Sequence, residues 1–206
     1  MAGIIEVKDQ GKVRIYDADN SNYVDIVVPS TVSSNRTITL PDASFTVPTA
    51  DTVGGITEAD QWRITANHVG VSAITANWER VDTYSYDKIG TGMSESSGVF
   101  TFPSTGIWRI DFYATSQATN GTSEYIRADI DHTEDNGTFN TAAVGYTGLA
   151  SNHYGNISIV SFFDVTNVST HKVRFELGQN QANTATFHGT TSQNRTVATF
   201  TRLGDT

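Results

Sequence analysis

The sequence predicts an all-β chain, a short-strand N-terminal segment followed by an antiparallel β-sandwich, on three observations. From Trp108 to Ala114 the residues alternate, with Trp108, Ile110, Phe112 and Ala114 on one face and Arg109, Asp111 and Tyr113 on the other. A period of two marks a strand whose two faces differ. Similar segments recur after about Ala59, divided by turn signals such as Asn120-Gly121 and Asn136-Gly137, which suits a sandwich or jelly roll. Composition agrees: 37% hydrophobic and 17% charged, with Ser, Thr, Asn and Gly filling the gap and few helix formers.

The first segment, residues 1–55, holds short apolar runs at Ile4-Ile5, Val13 to Tyr16, Val24 to Val28 and Thr37 to Leu40. Pro29, Pro41 and Pro48 interrupt it. Proline has no N–H to give a ladder, so it belongs at edges and bends. Such a segment has little apolar surface to bury alone and is expected to fold against copies of itself or a larger particle. Thr49 to Thr57 reads as a linker with a hinge at Gly54-Gly55. The second domain is therefore placed at 56–206. Its strands are expected near Gln61–Thr65, Glu79–Tyr84, Gly98–Phe102, Trp108–Gln117, Ser123–His132, Ala142–Leu149, Asn156–Thr166, His171–Leu177 and Thr196–Leu203. The turn Pro103-Ser-Thr-Gly106 joins the third to the fourth.

Several functions are disfavoured. The net charge is -9, the wrong sign for a phosphate backbone, so no nucleic-acid partner is expected. There is no cysteine, hence no disulfide, thiolate nucleophile or zinc–thiolate site; this fits synthesis in a reducing cytoplasm and stabilisation by assembly. The start, Met-Ala-Gly-Ile-Ile-Glu-Val-Lys, lacks signal-peptide character, and no apolar run reaches membrane-spanning length. Asn-x-Ser/Thr triplets at Asn35, Asn120, Asn136, Asn156, Asn167 and Asn194 then follow from Asn/Thr richness.

Chemistry-bearing patterns are sparse. The run Asp129-Ile-Asp-His-Thr-Glu-Asp-Asn-Gly is the best metal candidate, with Asp129, Asp131, Glu134 and Asp135 as calcium-type oxygen donors; the competing expectation is a solvated acidic strand end. His68, His132, His153, His171 and His188 show no metal-ligand spacing. There is no Gly-x-Ser-x-Gly elbow or phosphate-cradling loop, so no enzyme and no cofactor are expected. Trp62, Trp108, Phe100, Phe102, Phe112, Phe162, Phe163, Phe175, Phe187 and Phe200 are assigned to the core. The tyrosines fall on the opposite face or in turns, and a loop tyrosine such as Tyr154 could stack on a sugar ring.

Two resemblances add to this. Gly98-Val-Phe-Thr-Phe-Pro-Ser-Thr-Gly-Ile-Trp-Arg-Ile-Asp-Phe resembles the central hairpin of the complement globular-head and tumour-necrosis-factor (TNF) jelly rolls. The last strands, Asn156 to Val165, His171 to Leu177 and Ala198 to Leu203, are similar to that family's closing strands. This implies a TNF-like jelly roll over about Gln61 to Asp205, a homotrimer, and Tyr113 and Tyr125 as trimer-interface residues. Arg14 to Ala43 resembles a segment of fibre and appendage proteins of marine tailed phages, "R-x-Y-D-x-D-N-S-x-Y-V … P-x-T-V-x-S-N-x-T-x-T-L-P-D". It implies virion attachment or trimerisation through Arg14, Tyr16, Asp17, Tyr23, Val24, Pro29, Leu40 and Pro41. Together they suggest a virion-surface protein made in the host cytoplasm: a trimeric head fibre or capsid decoration protein with other virion proteins as partners. The alternatives are a receptor-binding tail fibre tip recognising a host surface glycan, a depolymerase, and a secreted bacterial lectin-like module.

Overall fold

The computed structural model describes residues 12–27, 33–34, 37, 55–180 and 184–206. The chain divides into two compact units, Met1–Val47 and Pro48–Thr206. No helix occurs among the described residues.

The first unit contributes a hairpin of β1 (Val13–Tyr16) and β2 (Tyr23–Ile26), paired antiparallel with Val13 opposite Ile26 and Tyr16 opposite Tyr23. Asp17 closes its loop by accepting the backbone N–H of Asn22 at 3.2 Å and the Ser21 hydroxyl at 3.2 Å. The run Ile4-Ile5, residues 38–40 of the run Thr37 to Leu40, and most of the Thr49 to Thr57 linker lie outside the described residues.

The second unit is a sandwich of two antiparallel sheets. One carries β3 (Ala59–Ile64), β4 (His68–Val69), β6 (Trp78–Arg80), β9 (Gly106–Ala118), β12 (Tyr154–Val165), β14 (Ala185–Phe187) and β15 (Thr196–Gly204). The other carries β5 (Ser72–Ala73), β7 (Ser94–Ser96), β8 (Val99–Thr101), β10 (Ser123–Thr133), β11 (Asn140–Leu149) and β13 (Lys172–Gln179). β9 is the axis of the first sheet: β12 pairs along its whole length on one side, β15 and β14 on the other.

Alternation sets the core. On β9, Trp108, Ile110, Phe112 and Ala114 are fully buried. They face Ile126, Ala128 and Ile130 of β10 and Val173, Phe175 and Leu177 of β13, all at 0% exposure. Phe112 and Phe175 meet with ring centroids 4.6 Å apart, and Phe100 stands edge-on to Phe175 at 5.6 Å. Tilted and edge-on ring pairs of this kind are favoured by the ring quadrupole.

The hairpin motif has physical reasons for its glycines. Gly98 has φ +82° and a Cβ there would lie 2.1 Å from the Ile74 carbonyl oxygen. Gly106 has φ +140°, and its Cβ would meet the Gly204 carbonyl oxygen at 2.4 Å. Both positions combine a backbone shape and a close approach that exclude side chains.

Two expectations change, and one residue without an assigned place gains one. The strand placed at Glu79–Tyr84 ends at Arg80, because Tyr84 and Ser85 both take positive φ and turn the chain. Phe162 is 61% exposed, not core: on β12 the inward register belongs to Ile157, Ser161, Phe163 and Val165. Trp78 joins the core side, touching Phe100 at 5.1 Å and Phe175 at 5.5 Å.

Trp108 has no exposed surface and donates its indole N–H to the Ser104 carbonyl at 3.2 Å. Trp108→Ala is expected to cost about 3–5 kcal/mol, read as a lowered denaturation midpoint; an unchanged midpoint would contradict the assigned core face.

Candidate subunit interface

The outward face of the first sheet is built row by row from its register. Ser158, Tyr113, Val197 and Arg63 lie side by side across β12, β9, β15 and β3; Val160, Asp111, Thr199 and Gln61 form the next row. Phe162, Arg109 and Thr201 follow. Directly opposite residues share a face; Arg63 and Val197 are buried, so the open part of this face lies on β12 and the adjoining residues of β9. Phe162 is 61% exposed, Leu203 54% and Val160 46%. Arg109 and Asp111 neutralise each other through two bonds of 2.8 and 2.7 Å. The face thus offers apolar side chains and a self-satisfied ion pair.

β12 is also an edge. Among the described residues it pairs with β9 alone, as β11 pairs with β10 alone. A twelve-residue edge with Val160 and Phe162 pointing outward is a surface that proteins usually cover.

Tyr113 sits within this face, its hydroxyl accepting from Thr115 at 3.2 Å. Tyr125 does not join it. It lies on β10 in the other sheet, edge-on to Tyr146 at 5.4 Å. Tyr154 is exposed, with His188 at 5.6 Å between rings.

The acidic run is used internally. Asp129 and Asp131 are nearly fully buried on the outer face of the second sheet. Asp131 accepts from Thr141 at 2.9 Å and from Arg174 at 3.0 Å. Asp129 lies 3.1 Å from Arg127. Burial pushes its pKa up to about 6, with Glu176 and Asp131 adding and Arg127 opposing. Asp135 caps its own turn, accepting from the Thr133 hydroxyl and from the N–H groups of Gly137 and Thr138; these bonds hold its carboxyl well below the ordinary range. No group of three or more His, Asp or Glu among the described residues is arranged to hold a metal ion.

Of the residues assigned to attachment, Arg14, Tyr16, Asp17, Tyr23 and Val24 are described, and Pro29, Leu40 and Pro41 lie outside the described residues. The hairpin has unlike faces. Arg14 grips Asp25 at 2.7 Å and lies 3.5 Å over the Tyr23 ring, beside Tyr16 at 5.7 Å from Tyr23. The opposite face is Val13, Ile15, Val24 and Ile26, each between 46% and 66% exposed. Among the described residues this sheet has two strands only, and a two-stranded hairpin by itself is marginal in water, so an exposed apolar face of this kind favours a cover.

What residue patterns did not show was the imidazole stack at one end of the core. His132 lies on Phe163 at 4.0 Å and 18°, and Phe163 lies on His171 at 5.4 Å and 19°. Parity was the available signal: His132 continues the inward series Ile126, Ala128, Ile130. Its Nε2 is buried without a hydrogen bond, and burial pulls its pKa down to about 4 against the opposing pull of Asp131.

No protein-family model and no curated protein sequence matches the chain. Among solved structures, murine APRIL superposes with a TM-score of 0.52 at 13% identity, over 71% of this chain and 98% of its own. Eiger TNF from S. frugiperda superposes at 0.50 and 9% identity, over 74% and 96%. PRD1 vertex protein P5 reaches 0.45 at 16% identity, over 73% and 100%, a score too low to support a conclusion. The second unit is a TNF-like jelly roll, as its all-antiparallel sheets and these likenesses show.

The imidazoles make stability depend on pH. His132 has a folded pKa below its unfolded value of 6.5, so the unfolded chain takes the proton first and stability falls as pH drops from 6.5 to about 4. Burial lowers His68 and His188 in the same sense. Asp129 opposes them: its contribution is complete below 3.8 and is lost as pH rises through about 6. The melting temperature should therefore fall from pH 6.5 towards 4, less steeply in His132→Gln and more steeply in Asp129→Asn. A flat wild-type profile, measured by thermal scans across that range, would contradict this balance.

Proposed function

We propose that the chain is a trimeric display protein of a tailed-phage virion, a head fibre or capsid decoration protein. Its N-terminal segment attaches it and its jelly roll faces solvent. The observation that carries the assembly is the unpartnered apolar face on the edge strand β12, with Val160 and Phe162 outward beside Tyr113. A copy of the same chain is a fitting cover: Val160 and Phe162 stand out at the edge, the neighbouring Arg109–Asp111 pair is internally neutral, and closed symmetry removes an edge that would otherwise invite open-ended pairing. The TNF-like fold is consistent with this arrangement. Attachment is supported by the resemblance of Arg14 to Ala43 to phage appendage segments and by the uncovered apolar side of the β1–β2 hairpin.

The partners are then two further copies and another virion protein. The chemistry is adhesive: apolar burial across the copies does the work that disulfides do in small secreted domains. A second reading, a tail fibre tip that recognises a host surface glycan, requires a sugar site on the displayed domain, and one groove has the right character for it.

Sizing by light scattering should give about three times the 22.3 kDa chain mass. Phe162→Asp should return monomers whose far-ultraviolet spectrum is unchanged, since that side chain already faces solvent. A wild-type monomer would overturn the trimer. Antibody labelling of virions should decorate the particle surface, and unlabelled particles containing the protein would overturn display.

A further inference from the structure

The loop 81–86 is held by two buried charges, one on each face of β3. On the outward face Arg63, at 0% exposure, donates to Glu79 at 2.9 Å, to Thr83 at 2.8 Å and to Asp82 at 2.7 Å. On the inward face Asp60, at 1% exposure, accepts from the Trp62 indole and the Met93 N–H, both at 2.8 Å, and from the Tyr86 hydroxyl at 3.4 Å. Arg80 adds two contacts of 3.1 Å to the same carboxylate. Both stems of the loop are thereby pinned across the strand.

Between the stems the backbone is strained. Tyr84 and Ser85 have φ of +57° and +62°, a region costly for residues with a Cβ. The strain presents Tyr84 with 86% of its surface exposed, and no ring contact or hydrogen bond of its side chain occurs among the described residues. An exposed aromatic ring on a braced turn adds little to the core.

Tyr84 borders a groove of about 310 Å³ shared with Tyr86, Gln61, Gln193 and Asn194. None of the lining residues is charged. Asn194 donates to Gln61 at 2.8 Å, and Gln61 donates to Thr199 at 3.0 Å. That chain fixes the Asn194 amide while leaving its carbonyl oxygen open; Gln193 accepts from Arg195 at 3.1 Å and keeps its amide N–H groups open. A ring platform, a fixed acceptor and free donors, all neutral, match a flat ligand with one apolar face and a rim of hydroxyls. The volume suits one or two rings and is at the small end of ligand sites.

We infer that this groove binds a neutral pyranose sugar, stacked on Tyr84 and hydrogen-bonded by Asn194 and Gln193. The absence of lysine or arginine from the lining disfavours acidic sugars and phosphates, and its polar rim disfavours an acyl chain. The site rests for its biological setting on the second reading above; blocking of host adsorption by the purified protein tests that setting separately from the binding itself.

The test titrates the intact protein with glucose, galactose, mannose and N-acetylglucosamine disaccharides to millimolar concentration, following amide shifts and saturation transfer. One of these probes should perturb Tyr84, Gln193 and Asn194. Tyr84→Phe should keep binding, and Tyr84→Asn should weaken it at least tenfold. Asparagine tolerates positive φ, so the melting temperature of that variant should hold or rise. The inference is overturned if no probe perturbs the groove, or if Tyr84→Asn binds as well as wild type. It is also overturned if that variant changes the oligomer mass, which would make Tyr84 a contact between copies.

Discussion

The ring contact between Phe112 of β9 and Phe175 of β13, 4.6 Å between centroids, is where the two sheets close on each other, and the rest of the domain is arranged around it. Phe100, Phe200 and Trp78 surround that contact. Each fully buried aromatic removes a large apolar area from water, which a chain only 37% hydrophobic must concentrate in one place. It does so by giving most of the tryptophans and phenylalanines of the second unit the inward register.

That concentration has a consequence on the other side of the same strands. Because strand residues alternate, sealing the inner face of β9 and β12 forces the intervening residues outward. A thin core cannot use two adjacent phenylalanines at one strand position, so Phe163 enters and Phe162 is left in solvent. The apolar outward face is therefore tied by geometry to the core, yet alternation alone would accept a polar residue at 162. A serine or threonine there would fit the strand equally well. A phenylalanine at the open edge of a sheet is what supports the proposed contact between copies.

How much could be read beforehand follows from which interactions are local. Strict alternation made β9, β10, β12, β13 and β15 legible within a few residues, and Gly106 marked a turn that positive φ and close carbonyl approach then explained. The short strands β4, β5, β7 and β14 were not legible, since two or three residues carry no period; β5 and β14 are strands because the long β13 and β9 supply hydrogen-bond partners, and β4 and β7 because the short β14 and β8 do. Tyr84 was placed at the end of a strand, while the turn is imposed from outside by Arg63 and Asp60, about twenty residues away in sequence. Asp129 and Asp131 looked like donors for an ion. Their partners, Arg127 and Arg174, are set by the register of β10 against β13, which local spacing does not encode.

The buried charges beside β3 bring these threads together. Taking Arg63 and Asp60 out of water costs free energy that their ion pairs only partly return, and apolar residues of like size would often serve stability as well or better. Neither charge touches the ring contact at the centre of the sandwich. Each instead ends on the loop that carries Tyr84, through Thr83 and Asp82 on one face and the Tyr86 hydroxyl on the other. Directional bonds do what apolar packing does poorly: they fix the position and angle of a turn, here against backbone strain at two successive residues. Such rigidity at a fully exposed aromatic reduces the ordering cost of anything that stacks on it. The jelly roll thus separates its tasks by face and edge. Apolar burial builds the core and leaves an apolar edge at β12, while buried polar bonds at β3 hold a small neutral groove open to solvent.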